Sequence, residues 1–231
     1  MLFRSFSACR NMQVSGTLGT SATNLDGHMM KNMEWGAVAI LSQSKYGIFN
    51  NKSAIKNDGK IWNNSNNSFS TGYAGTTADA ANEATGNEYA YNTLNGHKAS
   101  TTGTVYGVYD MAGGAWEYVM GIMLNEKTNL QYTGFTKDQS NNLANIESKY
   151  YDKYDNSTDS YTNYDGAIPG DATKETKGWN GDYAKFPTSS IPVFKRGGSS
   201  GNGAGAGVFS FSNDFGNAYI NNSFRPVFVA L

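Results

Sequence analysis

The chain contains one cysteine, Cys9, in 231 residues. No disulfide can close within it, and a thiolate metal cluster is excluded. Histidine is nearly as scarce. His28 and His97 are the two in the sequence; they lie far apart and read as ordinary loop residues, which leaves little for a Ser-His-Asp arrangement or a His-based metal site. Charged residues make up 16% of the chain, and the net charge is −1. Without a long basic run, the clustered positive patch that grips nucleic-acid phosphates is missing, so no nucleic-acid partner is expected. No run of about 18 apolar residues occurs, so no transmembrane helix or membrane insertion is expected. The opening Met1-Leu2-Phe3-Arg4 soon gives way to Ser, Gly and Thr and does not resemble a signal peptide. For an exported protein, a signal or anchor is therefore expected to have been removed or to lie outside this sequence.

What is present is loop and aromatic chemistry. Hydrophobic residues make up 39%, with 27 Gly, 15 Tyr and 12 Phe. Gly, Asn, Ser, Thr and Tyr dominate the rest, a mixture that points to many loops, short strands and an aromatic core. The length fits one domain, taken here as residues 1–231.

The most strongly patterned stretch is GVYDMAGGAWEYVMGIM, residues 107–123. It reads as a strand over 105–111, a tight turn on Gly113-Gly114 and a second strand from Ala115, with Tyr106, Val108, Trp116, Tyr118 and Met120 as its apolar surface. Before it, residues 1–28 read as an edge strand (Leu2, Phe3, Phe6) and a loop. Residues 29–44 read as a helix, with Met30, Met33, Ala37, Ile40 and Leu41 at steps of three and four, Trp35 and Val38 widening the stripe, Asn24 or Asp26 as its cap, and Lys45-Tyr46-Gly47 closing it. Residues 50–77 form an irregular excursion anchored by Ile61, Trp62, Phe69 and Tyr73, followed by a short helix over 77–85 ended by Gly86. Residues 125–187 are a long Tyr-rich insertion. Leu143, Ile146, Tyr150 and Tyr154 predict a helix over 140–154 within it, and Asp165-Gly166, Pro169-Gly170 and Trp179-Asn180-Gly181 predict turns. Strands are predicted over 192–198, over 206–212 with Phe209 and Phe211 opposite Ser210 and Ser212, and over 224–229, where Pro226 suggests an edge.

Three anchors in order carry a resemblance. They are Met33-Glu34-Trp35 with Ala37 and Ala39; Tyr106-Gly107-Val108-Tyr109-Asp110-Met111-Ala112-Gly113-Gly114-Ala115-Trp116-Glu117-Tyr118; and Arg196-Gly197-Gly198-Ser199 followed by Ser223-Phe224-Arg225. Together they resemble the formylglycine-generating-enzyme (sulfatase-modifying-factor) version of the C-type lectin fold. That likeness covers most of the chain, the Tyr-rich insertion excepted. It implies an α+β fold of short twisted antiparallel sheets with two or three helices and long irregular loops. The chemistry does not carry over. Oxidation in that family depends on active-site cysteines near the C-terminal end, and none stands there. The family's calcium site uses an Asn at the hairpin turn, where this chain has Gly114, although Glu117 remains. No cofactor is expected, and calcium is left open only elsewhere in the loops.

The C-terminal region, residues 196–231, also resembles the variable region of ligand-binding proteins diversified by retroelements, which use the same lectin fold. Adenine-targeted mutagenesis there turns Asn-type codons into Tyr, Ser, Asp, Phe, Ile and Gly. The residues interleaved with the fixed frame are Ser200, Gly201, Gly205, Ser210, Ser212, Asp214, Phe215, Tyr219, Ile220 and Asn221. Trp179 and Tyr183 of the insertion are expected to border the same surface. Tyr and Phe would supply rigid contact area, with Ser, Asn and Asp adding adaptable hydrogen bonds. Arg196, Arg225, Asp110 and Glu117 read as structural, the acids bonding backbone amides or Arg225.

The expectation is a non-catalytic receptor- or adhesin-type protein, not an enzyme, binding a protein or glycan on another cell or virion. It would be displayed on a bacterial surface or phage virion, with oligomerisation left open. A structural pilus or virion subunit is the alternative reading. An oxidase of the formylglycine-generating type is the disfavoured one.

Overall fold

A computed structural model describes residues 2–14, 25–50, 60–66, 68, 71–78 and 83–231. Two helices, α1 (Leu2–Val14) and α2 (Asn32–Leu41), accompany seven short strands: β1 (Leu25–Met29), β2 (Trp116–Met123), β3 (Asp152–Tyr154), β4 (Val193–Arg196), β5 (Phe211–Asp214), β6 (Asn222–Phe224) and β7 (Pro226–Ala230). The fold is mixed α+β, with few helices and small sheets.

β2 is the strand on which the others assemble. All eight of its residues are buried. Val119 and Met123 enter one apolar core with Trp35, Met111, Tyr154, Phe186, Phe194, Phe209 and Phe211. Tyr118, Met120 and Ile122 enter a second, with Leu2, Phe6, Cys9, Leu130, Phe135 and Tyr150. The alternation of neighbours into two cores is the period-two geometry of a strand covered on both faces. Antiparallel β4 flanks β2 on one side and carries β5, while β3 and β6 run parallel to the two ends of β2 on the other. β1 and β7 form a separate antiparallel pair. Met30 ties the two sheets together, its N–H donating to the Arg225 carbonyl and its carbonyl accepting from the Met120 N–H, each at 2.9 Å.

Several expectations are corrected. Residues 2–14 form a helix, not an edge strand. Its apolar Leu2, Phe6 and Cys9 face the second core, and Arg10 fastens it to Asp26 and to the Gly27 carbonyl. The 105–111 stretch is not a strand. Gly113 and Gly114 do turn the chain with positive φ, but β2 takes its partners from distant segments and not from a hairpin arm. The α2 helix is shorter than the pattern suggested, because β1 occupies 25–29 and makes Asp26 a strand residue. Its first turn is closed by the Lys31 N–H donating to Glu34 Oε2 at 2.8 Å.

The predicted helix over 140–154 is replaced by a turn at Ser148–Tyr150 and strand β3, the left-handed Asn141 and Asn145 having already broken any helical run. The expected strand over 206–212 begins only at Phe211. The sheets are not purely antiparallel either, because long connections let β3 and β6 return in the direction of β2. Phe69 and much of the predicted 77–85 helix lie outside the described residues. Ile61 is buried, Trp62 packs partly buried against the first core, and the Trp62 backbone N–H donates to the Lys98 carbonyl. Pro226 opens β7, which among the described strands pairs with β1 alone, in keeping with an edge position. No helix among the described residues is long and apolar enough to cross a membrane.

Candidate ligand-binding surface

The frame beneath the candidate surface is held by buried charge. Arg225 donates from Nη2 and Nε to the two oxygens of Glu117 at 2.6 and 3.0 Å, and from Nη2 to the Tyr109 carbonyl. Burial raises the Glu117 carboxyl, and the Arg225 charge pulls it back down. Asp110 accepts from the Gly72 N–H at 2.6 Å. Arg196 is completely buried, donates to the Ala172 carbonyl at 3.0 Å, and packs over Trp35 and Phe211. These four charged residues take the structural places expected of them.

After β4 the chain turns over Gly197 and Gly198. The Gly113 N–H donates to the Gly197 carbonyl at 3.0 Å, and the Ser200 N–H to the Gly114 carbonyl at 2.8 Å. A short turn, Ser200–Gly205, therefore rests directly on the Gly113-Gly114 loop. The Tyr183 N–H donates to the Gly205 carbonyl at 3.0 Å, and the Phe211 N–H to the Tyr183 carbonyl at 2.9 Å. Trp179 packs edge-on against Phe209, and Tyr183 against Trp116. Tyr183 thus borders the Ser200–Gly205 turn, while Trp179 packs on Phe209 beyond it. From the other side, the Trp116 N–H donates to the Asn221 carbonyl at 2.9 Å, which brings the exposed Tyr219, Ile220 and Asn221 beside the same strand. Tyr219 is 60% exposed and Trp179 49%, while Ile220 stands fully in solvent.

Not every candidate joins this surface. Ser210 is 0% and Ser212 6% exposed, so neither can touch a macromolecule in this arrangement. Phe211–Asp214 is an interior strand as well, with β4 on one side and the Ala184-Lys185 segment on the other. The assumed solvent face does not exist there. Asp214 is spent internally, its carboxylate 2.9 Å from Lys195 Nζ and accepting from the Tyr118 hydroxyl at 2.6 Å. Phe215 is half exposed but leans on Tyr132, beside Gly216, whose carbonyl receives the Leu2 N–H.

The remaining positions differ sharply in the room around them. A Cβ on Gly201 or Gly205 would meet its nearest neighbour at 3.9 Å, an ordinary contact. A Cβ on Gly198 would fall 2.7 Å from Ala206, and one on Gly207 2.2 Å from the Asp182 oxygens. The tolerant glycines lie inside the Ser200–Gly205 turn and the intolerant ones flank it.

Trp116 is buried, as its apolar reading required, and sequence reasoning missed Lys195, which lies over its ring at 5.0 Å. It also misplaced His28. That ring is buried in β1 with Nε2 2.9 Å from Glu34 Oε1, whereas His97 sits in the turn Gly96–Ala99. No group of three or more His, Cys, Asp or Glu side chains among the described residues is arranged to hold a metal ion. No protein-family model matches the chain, and no curated protein sequence matches it.

Proposed function

We propose that this protein is a non-catalytic ligand-binding module built on a C-type lectin scaffold, its binding surface diversified by a retroelement. The surface comprises the Ser200–Gly205 turn, the Tyr219-Ile220-Asn221 loop, and Trp179 and Tyr183. The protein is displayed on a bacterial surface or a phage virion, where it takes a protein or glycan ligand.

The observation that carries this reading is the open turn between fixed flanks just described. Gly201, Gly205, Tyr219, Ile220 and Asn221 have open space or solvent around their side-chain positions, while Gly198, Ala206, Gly207 and Val208, which flank the turn, are buried or tightly packed. A scaffold of that kind accepts new side chains at the surface without repacking the core. Exposed Tyr and Trp offer large rigid contact area at low entropic cost, and Ser and Asn add adaptable polar contacts. The one cysteine supports a non-catalytic reading: Cys9 is fully buried in α1, and burial pushes its thiol up to about 12, far from a reactive thiolate.

Deep sequencing of this gene from its source population tests the proposal. Changes concentrated at Ser200, Gly201, Gly205, Tyr219, Ile220 and Asn221, with Gly197, Gly198, Gly207 and Arg225 fixed, are expected. Variation at those positions no greater than at Asn63 or Ser140 would remove the diversified-surface reading.

A further inference from the structure

Asp182 lies between the two insertion aromatics of the candidate surface, and its side chain turns inward. The residue is 7% exposed, and its Oδ2 accepts from the Phe209 N–H at 2.9 Å. Its oxygens lie so close over Gly207 that no Cβ would fit there. One residue later, the Tyr183 N–H bonds the Gly205 carbonyl, and three residues earlier Trp179 packs on Phe209. This carboxyl is therefore one of the contacts joining segment 179–185 to segment 205–211, beside the Trp179–Phe209 ring pair and the backbone bonds of Tyr183 and Lys185. Two cations face it: Lys60 from the preceding excursion and Arg196 from β4. Arg196 in turn faces Asp171 and Glu175.

We propose that Asp182 is a pH-sensitive latch between these two segments, closed while its carboxyl is protonated and loosened when it ionises. Burial raises this carboxyl from 3.8 to about 7, with the Phe209 amide and the charges of Lys60 and Arg196 opposing the rise only in part. When the segments part, Asp182 meets water and its carboxyl returns to the ordinary range. Ionisation therefore favours the parted arrangement. The closed latch is fullest below the ordinary carboxyl range and is given up progressively as pH rises through about 7. Linkage makes parting about tenfold more frequent at pH 8 than at pH 6, and about a hundredfold more frequent at pH 9 than at pH 5.

For the binding surface proposed above, on which this functional consequence rests, a closed latch holds Tyr183 against Gly205 and Trp179 against Phe209 as one rigid face. Mildly acidic surroundings pre-organise that face, and alkaline ones relax it.

Amide hydrogen exchange of the intact chain tests the latch with no ligand present. Protection factors, which divide out base catalysis, are expected to fall about tenfold at Phe209 and Ser210 between pH 6 and pH 8. The Asp182→Asn variant, which cannot ionise, should show no such fall. Protection unchanged with pH in the native chain, or a fall that persists in Asp182→Asn, overturns the proposal. Should that variant not fold, a carbon-13 titration of the native Asp182 carboxyl decides: a midpoint near 7 supports the latch, and one near 4 overturns it. Lys60→Gln should move the midpoint upward by removing a facing cation. Population sequencing reads the surface and exchange reads the latch, so either idea can fail without the other.

Discussion

Glu117 and Arg225 show how this chain manages charge inside its frame. The side chain of Glu117 is 8% exposed and is met by two nitrogens of Arg225. An ion pair so placed adds little net stability over an apolar pair, but removing one partner strands the other. Arg225→Ala should therefore cost about 3 kcal/mol in urea unfolding, and Arg225→Lys should recover only part of it, because a point charge cannot reproduce the two-pronged geometry. A loss below about 1 kcal/mol would mean the pair behaves as a solvent-screened one. The partner of Glu117 was legible in the sequence, since a buried carboxylate needs one and Arg225 stood in the same frame. His28 was not. Its burial comes from α1 and Tyr150 covering β1, and nothing in the residues around His28 announces that cover.

At the scale of elements, α2 was legible and the region 140–154 was not, for the same physical reason. Apolar residues at steps of three and four report a helix only where the backbone between them can be helical. Residues 32–41 allow it. In 140–154 the spacing of Leu143, Ile146 and Tyr150 comes instead from loop side chains reaching the second core, while Tyr154 sits on a strand parallel to β2 and enters the first. Strand β2 was legible as a strand but not in its partners, because pairing across such sequence distances leaves no local pattern.

The packing of α2 on β2 also yields a prediction. A Cβ on Gly121 would meet the Asn32 Cβ at 2.7 Å and the Phe194 ring at 3.0 Å. Gly121→Ala should push the helix off the strand and cost about 1–3 kcal/mol by thermal unfolding. A variant as stable as the native chain would show that this interface has slack.

Over the whole molecule, the two cores meet on opposite faces of β2, and the candidate surface lies where several loops are stitched to the start of that strand. Fold and surface are thus separable in mutation. Gly205→Ser and Tyr219→Ala act where there is space or solvent, and each should change the melting temperature by no more than the equivalent of about 0.5 kcal/mol. Gly207→Ser drives a side chain into Asp182 and should cost about 1–3 kcal/mol or more, as overpacked sites do. Ser210 gives the opposite sign. Its hydroxyl is buried with no hydrogen-bond partner, so Ser210→Ala removes an unsatisfied group at nearly constant shape and should be neutral or stabilising by up to about 1 kcal/mol. A melting series across these four variants reads the division directly. If Gly205→Ser proves as damaging as Gly207→Ser, the turn belongs to the frame, and the diversified surface loses its centre. If the two differ as expected, the turn tolerates the new side chains that the proposed function demands of it.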